Sequence, residues 1–238
     1  MVGRSRIDRR QRADQILATA RDLLLLWGYR RVTIDELARR AGVGKGTVYL
    51  HWRSREEVFH AVSAREAAAM ADAIVDAVRD DPGEVALHRY LRRLFVEAMN
   101  RPVLRALYTR DADTLDTFLA SASHRHSEES KLGVSRDYLG VLAAEKMLRS
   151  DLSLNDLDYA LPTIVFGFFA AEPFLPPSIG LTLEQKADQL ADTVRRAFEP
   201  TGAPSKATVK RAAAKAIPIL ERIARDHRTA TYGGDHDD

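Results

Sequence analysis

The 238-residue chain has no cysteine, which excludes disulfides and thiolate chemistry and fits a reducing compartment, so the cytoplasm is the expected location. Long apolar runs are missing as well. The longest uncharged stretch, Tyr159 to Ala171, holds 13 residues, short of the roughly 20 that a membrane span needs, and it reads as a buried helix. The N-terminus MVGRSRIDRRQR is basic with no apolar region behind it, so no secretory signal is expected. Alternating Val/Ile/Thr runs are absent, and no strand is assigned. Charge of one sign is scarce only in aggregate: the net is +2, but residues 1 to 55 carry 13 Lys and Arg against 5 Asp and Glu, a net +8. A polyanion partner is expected for that end.

Apolar residues recur instead at three and four positions, the helical spacing. Ile16, Ala20, Leu23 and Trp27 form the stripe of a first helix, about 8 to 27, closed by Gly28 in a left-handed position. Thr33 with Glu36, and Ser54 with Glu57, read as capping boxes that open two further helices. The second of these runs from Ser54 to Asp80 and is the only continuous element joining the basic end to the rest. Beyond it, helices are expected near 84–100, 102–122, 134–149, 155–172 and 182–198. Residues 205–238 read as a C-terminal extension, helical to about 228 with a kink or break at Pro218, and disordered thereafter.

Gly42 to Trp52, GVGKGTVYLHW, raises the question of a phosphate-binding loop. The P-loop pattern fails, because Gly44-Lys45 is followed by Gly46 and no glycine stands five positions before Gly44. The dinucleotide fingerprint fails too, its last glycine falling on Thr47, and both loops would have to follow a strand. Helix, tight turn, short helix fits instead: Thr33 to Ala41, Gly42-Val43, then Lys45 to His51. In this helix-turn-helix Val43 and Val48 turn inward, and the small, polar start of the second helix suits entry into the major groove. Thr33 and Arg55 lie at helix N-termini that favour phosphate. Gly46 allows close approach to bases, Lys45 and Thr47 reach base edges or phosphates, and Tyr49 and His51 serve phosphates. Singly, Lys45 is as well read as a solvated charge and Tyr49 or Trp52 as packing.

The stretch VTIDELARRAGVGKGTVYLHWRSREEVF resembles the DNA-binding signature of the tetracycline-repressor (TetR) family of bacterial regulators, over roughly residues 10 to 62. Three positions depart from the family pattern: Gly44 replaces the usual Ser cap, Trp52 the usual Phe and Arg55 the usual Lys. The resemblance implies an all-α fold: a three-helix helix-turn-helix DNA-binding domain (1–60, with a basic arm) and a larger helical domain (61–204) that binds effector and dimerises. It further implies a ligand-responsive regulator, usually a repressor, binding a palindromic operator as a homodimer. By position the dimer helices are 155–172 and 182–198, where Leu161, Ile164, Val165, Phe168 and Phe169 read as surplus apolar surface. Candidates for the effector pocket are Phe95, Met99, Tyr108, Phe118, Tyr138 and Phe166, of which about half should line it. The aromatic lining points to a largely apolar molecule.

No cofactor or metal is expected. His124 and His126 with Glu128 and Glu129 read as solvated residues of a Ser-rich loop. Nucleophile elbow, zinc-binding helix and paired carboxylates are all lacking, so an enzyme is not expected. The alternative is a helical architectural or carrier protein that binds DNA without sequence choice, helped by the 7 basic residues of 205–228.

Overall fold

The computed structural model describes residues 2–109 and 135–232, with side chains for all of these except 2–8 and 177. Among the described residues every regular element is helical. α1 is Val2–Trp27, α2 Ile34–Arg40, α3 Lys45–Tyr49, α4 Arg55–Asp80, α5 Leu87–Met99 and α6 Pro102–Tyr108. α7 occupies 135–144, followed by α8 Leu154–Ala171, α9 Leu183–Phe198 and α10 Lys206–Thr231.

Two apolar cores share α4. Ala13, Ile16, Leu17, Ala20 and Leu23 of α1 meet Leu37 and Ala38 of α2, Val48 of α3 and Trp52, closed by Val58, Phe59 and Val62 at the start of α4. From Ala67 onward α4 turns to the second core, where Ile74 and Val78 meet Leu91 and Phe95 of α5, Leu142 of α7 and Leu190 and Val194 of α9. The first core is not served by α4 alone: Val103 of α6 is buried in it and Tyr232 packs against it. The head made by α1 to α3 is thus tied to the body at three places, not one.

Local chemistry accounts for the element ends, with several departures from expectation. α1 starts at Val2 rather than near residue 8. Gly28 has a positive φ of 73°, but its ψ of 165° takes the chain away from the left-handed helical region and into a short turn at Tyr29–Arg31. Both capping boxes are half made. The Thr33 hydroxyl accepts the Glu36 N–H at 3.2 Å, but the Glu36 carboxylate bonds Arg39 and Arg40. Ser54 accepts the Glu57 N–H, while Glu57 reaches one residue too far back, to the Arg53 N–H at 2.7 Å. α7 ends five residues before the expected 149, because Lys146 adopts φ 57°. The Met147 N–H then bonds the Leu142 carbonyl and the Lys146 N–H that of Ala143, a Schellman motif without glycine.

α10 runs unbroken through Pro218 and on to Thr231, against the expected kink and the expected end near 228. Pro218 and Ala214 are both on the exposed side, so the carbonyl that loses its N–H partner is left to solvent. Alanines on the other side, Ala212, Ala213, Ala216 and Ala224, are buried and let the helix lie close to α4. Arg79 pairs with Glu221 and Asp72 with Arg228, so the two helices are antiparallel.

Candidate nucleic-acid interface

α2 ends in a turn that only a residue tolerant of positive φ can make. Gly42 has φ 66°; its N–H bonds the Arg39 carbonyl and the Val43 N–H bonds that of Ala38 at 3.0 Å. This is a Schellman motif, and it drops Val43 onto the first core. Gly44 follows as N-cap of α3 with φ −70° and ψ 148° and no side-chain bond. α3 is shorter than expected, ending at Tyr49, although the Trp52 N–H still bonds the Val48 carbonyl at 3.0 Å.

Burying Val48 and Trp52 fixes the roll of α3. Lys45, Gly46 and Tyr49 then face outward, Thr47 is half-buried beside them, and Thr33 is exposed at the start of α2. Lys45 Nζ lies 3.0 Å from the Asp35 carboxylate across the turn, which raises its pKa. His51 is half-buried against the Trp52 ring, with centroids 5.2 Å apart. Burial, and then the charges of Arg9 and Arg12, hold its pKa below the usual imidazole value. A neutral donor therefore sits beside two exposed guanidinium side chains on α1, an arrangement suited to phosphate.

Arg55 is placed differently. Its guanidinium stacks on Tyr29 at 4.5 Å, donates to the Val32 carbonyl and pairs with Glu56, whose carboxylate accepts the Tyr29 hydroxyl at 3.0 Å. These contacts tie the chain before α2 to the start of α4. Arg9 and Arg12 were not named from the sequence as individual contacts; only the block of arginines was legible, because their position beside His51 follows from the crossing of α1 and α3.

The aromatic candidates of the body separate into groups. Phe95 is buried against Phe169 at 4.8 Å and Phe168, and Tyr108 stacks on Phe169 at 4.6 Å. Met99 packs on the same core. Tyr138 lies with Tyr90, 4.7 Å away, and donates to the Val85 carbonyl. Burial pushes the Tyr90 hydroxyl up to about 12. Phe166 faces outward instead, and Phe118 lies outside the described residues, as do His124, His126, Glu128 and Glu129. Of the residues expected to be surplus apolar surface, Leu161 and Phe169 are buried in the second core instead, while Ile164, Val165 and Phe168 pack against it half-buried. Tyr159 and Phe166, seven residues apart, share an exposed face of α8, and Leu154, Phe174, Leu175, Ile179 and Leu181 are exposed as well.

Residues 16–62 match the family model for bacterial regulatory proteins, tetR family, a segment covering the later part of α1, α2, α3 and the start of α4. Over 94 residues the chain is 34% identical to the transcriptional activator FasR of Mycolicibacterium smegmatis, a match that spans 40% of this chain and only 41% of the activator. Over 167 residues it is 25% identical to the transcriptional repressor AcnR of Corynebacterium diphtheriae, spanning 67% of this chain and 80% of the repressor. The fold is similar to that of the fatty acid degradation regulator FadR of Bacillus halodurans, with a TM-score of 0.60 at 16% identity, over 77% of this chain and 94% of that one. The outward-facing α3, its glycine turn and these likenesses converge on one segment: residues 16–62 are similar to the helix-turn-helix region of the tetR family of bacterial regulatory proteins.

Proposed function

We propose that the protein is a cytoplasmic, ligand-responsive repressor that binds a palindromic operator as a homodimer and is released by a small, largely apolar effector. The observation that carries the reading is the roll of α3: Lys45, Gly46 and Tyr49 face outward over buried Val48 and Trp52, so its N-terminus can enter a major groove. Lys45 and Thr47 read bases, while Thr33, the Gly44 turn, Tyr49 and His51 position the phosphates, with Arg9 and Arg12 beside them. Arg55 acts by holding α2 on α4. Residues 1–60 serve as the reader, 61–204 as the effector and dimer unit, and 205–238 as an extension.

The dimer is supported by the exposed Tyr159 and Phe166 on one face of α8, with Phe174 exposed after its end, since large apolar side chains left to water mark association surfaces. The effector would lie among Phe95, Met99, Tyr108 and Tyr138. Repression, rather than activation, is favoured by the longer match to AcnR. An architectural role is disfavoured because cations of the extension are engaged within the chain: Arg211 and Lys215 on Glu145, and Arg228 on Asp72. The test is selection from genomic fragments, followed by comparison of the recovered site with random duplex at one salt concentration. A regulator should prefer its site by at least ~10³; equal affinity would leave only the architectural role.

A further inference from the structure

We infer that Tyr232, carried at the end of α10, is a positioning residue for DNA reading: it latches the head to the body and sets the angle of α1. The inference rests on the reading that the head binds DNA. α10 is held at its body end, where Arg211 and Lys215 share Glu145 and Arg222 pairs with Asp137. Along its length it is pinned to α4 through Arg79–Glu221 and Asp72–Arg228. Its last turn then leaves the body. The Tyr232 hydroxyl donates to Asp14 Oδ1 at 2.7 Å, and the Arg10 guanidinium lies 4.7 Å above its ring. Asp14 is also tied to α4, where Arg65 donates to its carbonyl.

Besides α4, Val103 of α6 reaches the first core; a further attachment, away from the axis of α4, narrows the rotation left to the head about the N-terminal end of that helix. Tyr232 supplies one that runs from the body helix α7 to α1. Its grip on Arg10 lies within one helical turn of Arg9 and Arg12, whose charges act on His51. Movement of α1 at Tyr232 is therefore movement of cations at the DNA face. Arg10, held over the tyrosine ring, is oriented by the latch as well.

Absence of cysteine makes the experiment direct. Ala18→Cys on α1 and Ser150→Cys after α7, both at exposed positions, are spin-labelled, diluted with unlabelled chain, and their separation measured by pulsed double electron resonance. The parent should give one narrow distance, Tyr232→Phe a broader distribution, and Tyr232→Ala or Asp14→Ala loss of the single distance, with circular dichroism showing helicity retained. If Tyr232→Ala lowers helicity, Asp14→Ala decides. Affinity for the selected site should fall severalfold in Asp14→Ala and Tyr232→Ala relative to random duplex, because register is lost while Tyr232 carries no charge. Distances as narrow as the parent's in both alanine variants would overturn the proposal. Broadened distances in a protein that never distinguishes the two duplexes would instead overturn the DNA reading and leave the latch standing.

Discussion

A β-carbon added at Gly46 meets no heavy atom within 4 Å, and at a helical position alanine is favoured over glycine by about 0.5–1 kcal/mol. Gly46→Ala should therefore leave the urea midpoint unchanged or raised while weakening binding to the selected site, because the methyl group stands between backbone and bases. A drop in stability matching the loss of binding would show that Gly46 serves the fold. Gly42 is the converse case: space is open there too, but φ is 66°, so Gly42→Ala should cost about 1–2 kcal/mol in backbone strain. For His51 the predicted effect is on pH dependence. Its free-state pKa lies below the ordinary 6.5 through burial and through Arg9 and Arg12, and a phosphate on the ring would raise it. Binding then takes up a proton, so DNA affinity should rise as pH falls from 8 to 6, and His51→Gln should flatten that part of the profile; an unchanged slope would remove His51 from the interface. The glycines were legible in the sequence because a turn demands them. The Lys45–Asp35 pair and the stacking of Arg55 on Tyr29 were not, since each joins residues that only the folded head brings together.

Helices announced themselves by periodicity and caps, but their ends depended on chemistry that spacing does not reveal. Lys146 stops α7 at φ 57° where no glycine marks the place, and half-made boxes at Thr33 and Ser54 show how a carboxylate can be diverted to a better partner. At Glu36 that partner is a pair of guanidiniums: Arg39 first, then Arg40, hold the carboxyl at about 2. Since the folded value lies below the unfolded one near 4.5, the contribution is complete above pH 4.5 and lost as pH falls from there toward 2. Glu36→Gln should blunt that portion of acid unfolding, followed by circular dichroism. Pro218 was read from the sequence as a break because an interior proline costs a helix about 3 kcal/mol against alanine. Packing on α4 overrides the cost without abolishing it, so Pro218→Ala should stabilise the chain by about 1–3 kcal/mol in urea. No gain would mean that α10 already relaxes around the ring.

At the level of the chain, the +8 of residues 1 to 55 within a net of +2 sets the segment that builds the first core apart in charge, and the helical architecture of the described residues was legible from periodicity. The route between them was less so, for Val103 and Tyr232 reach the first core from segments far along the chain. An effector in the body can change DNA affinity only through a difference in binding between two arrangements of these contacts, and coupling of ~1 to 3 kcal/mol would suffice for a 5- to 150-fold loss. The proposed dimer sets the other requirement, since two recognition helices roughly 34–36 Å apart match successive major grooves. Tyr159→Glu and Phe166→Glu together should convert a dimer, at twice 26.6 kDa, to monomer in sedimentation. The most direct measurement is DNA binding by the Lys45→Ala, Thr47→Ala and Tyr49→Ala variants against the selected site and a set of its single-base variants. Tyr49→Ala should weaken binding alike to every duplex, while Lys45→Ala and Thr47→Ala change the order of preference among them. Parental affinity and parental preference in all three variants would contradict the assignment of α3 as the reading helix.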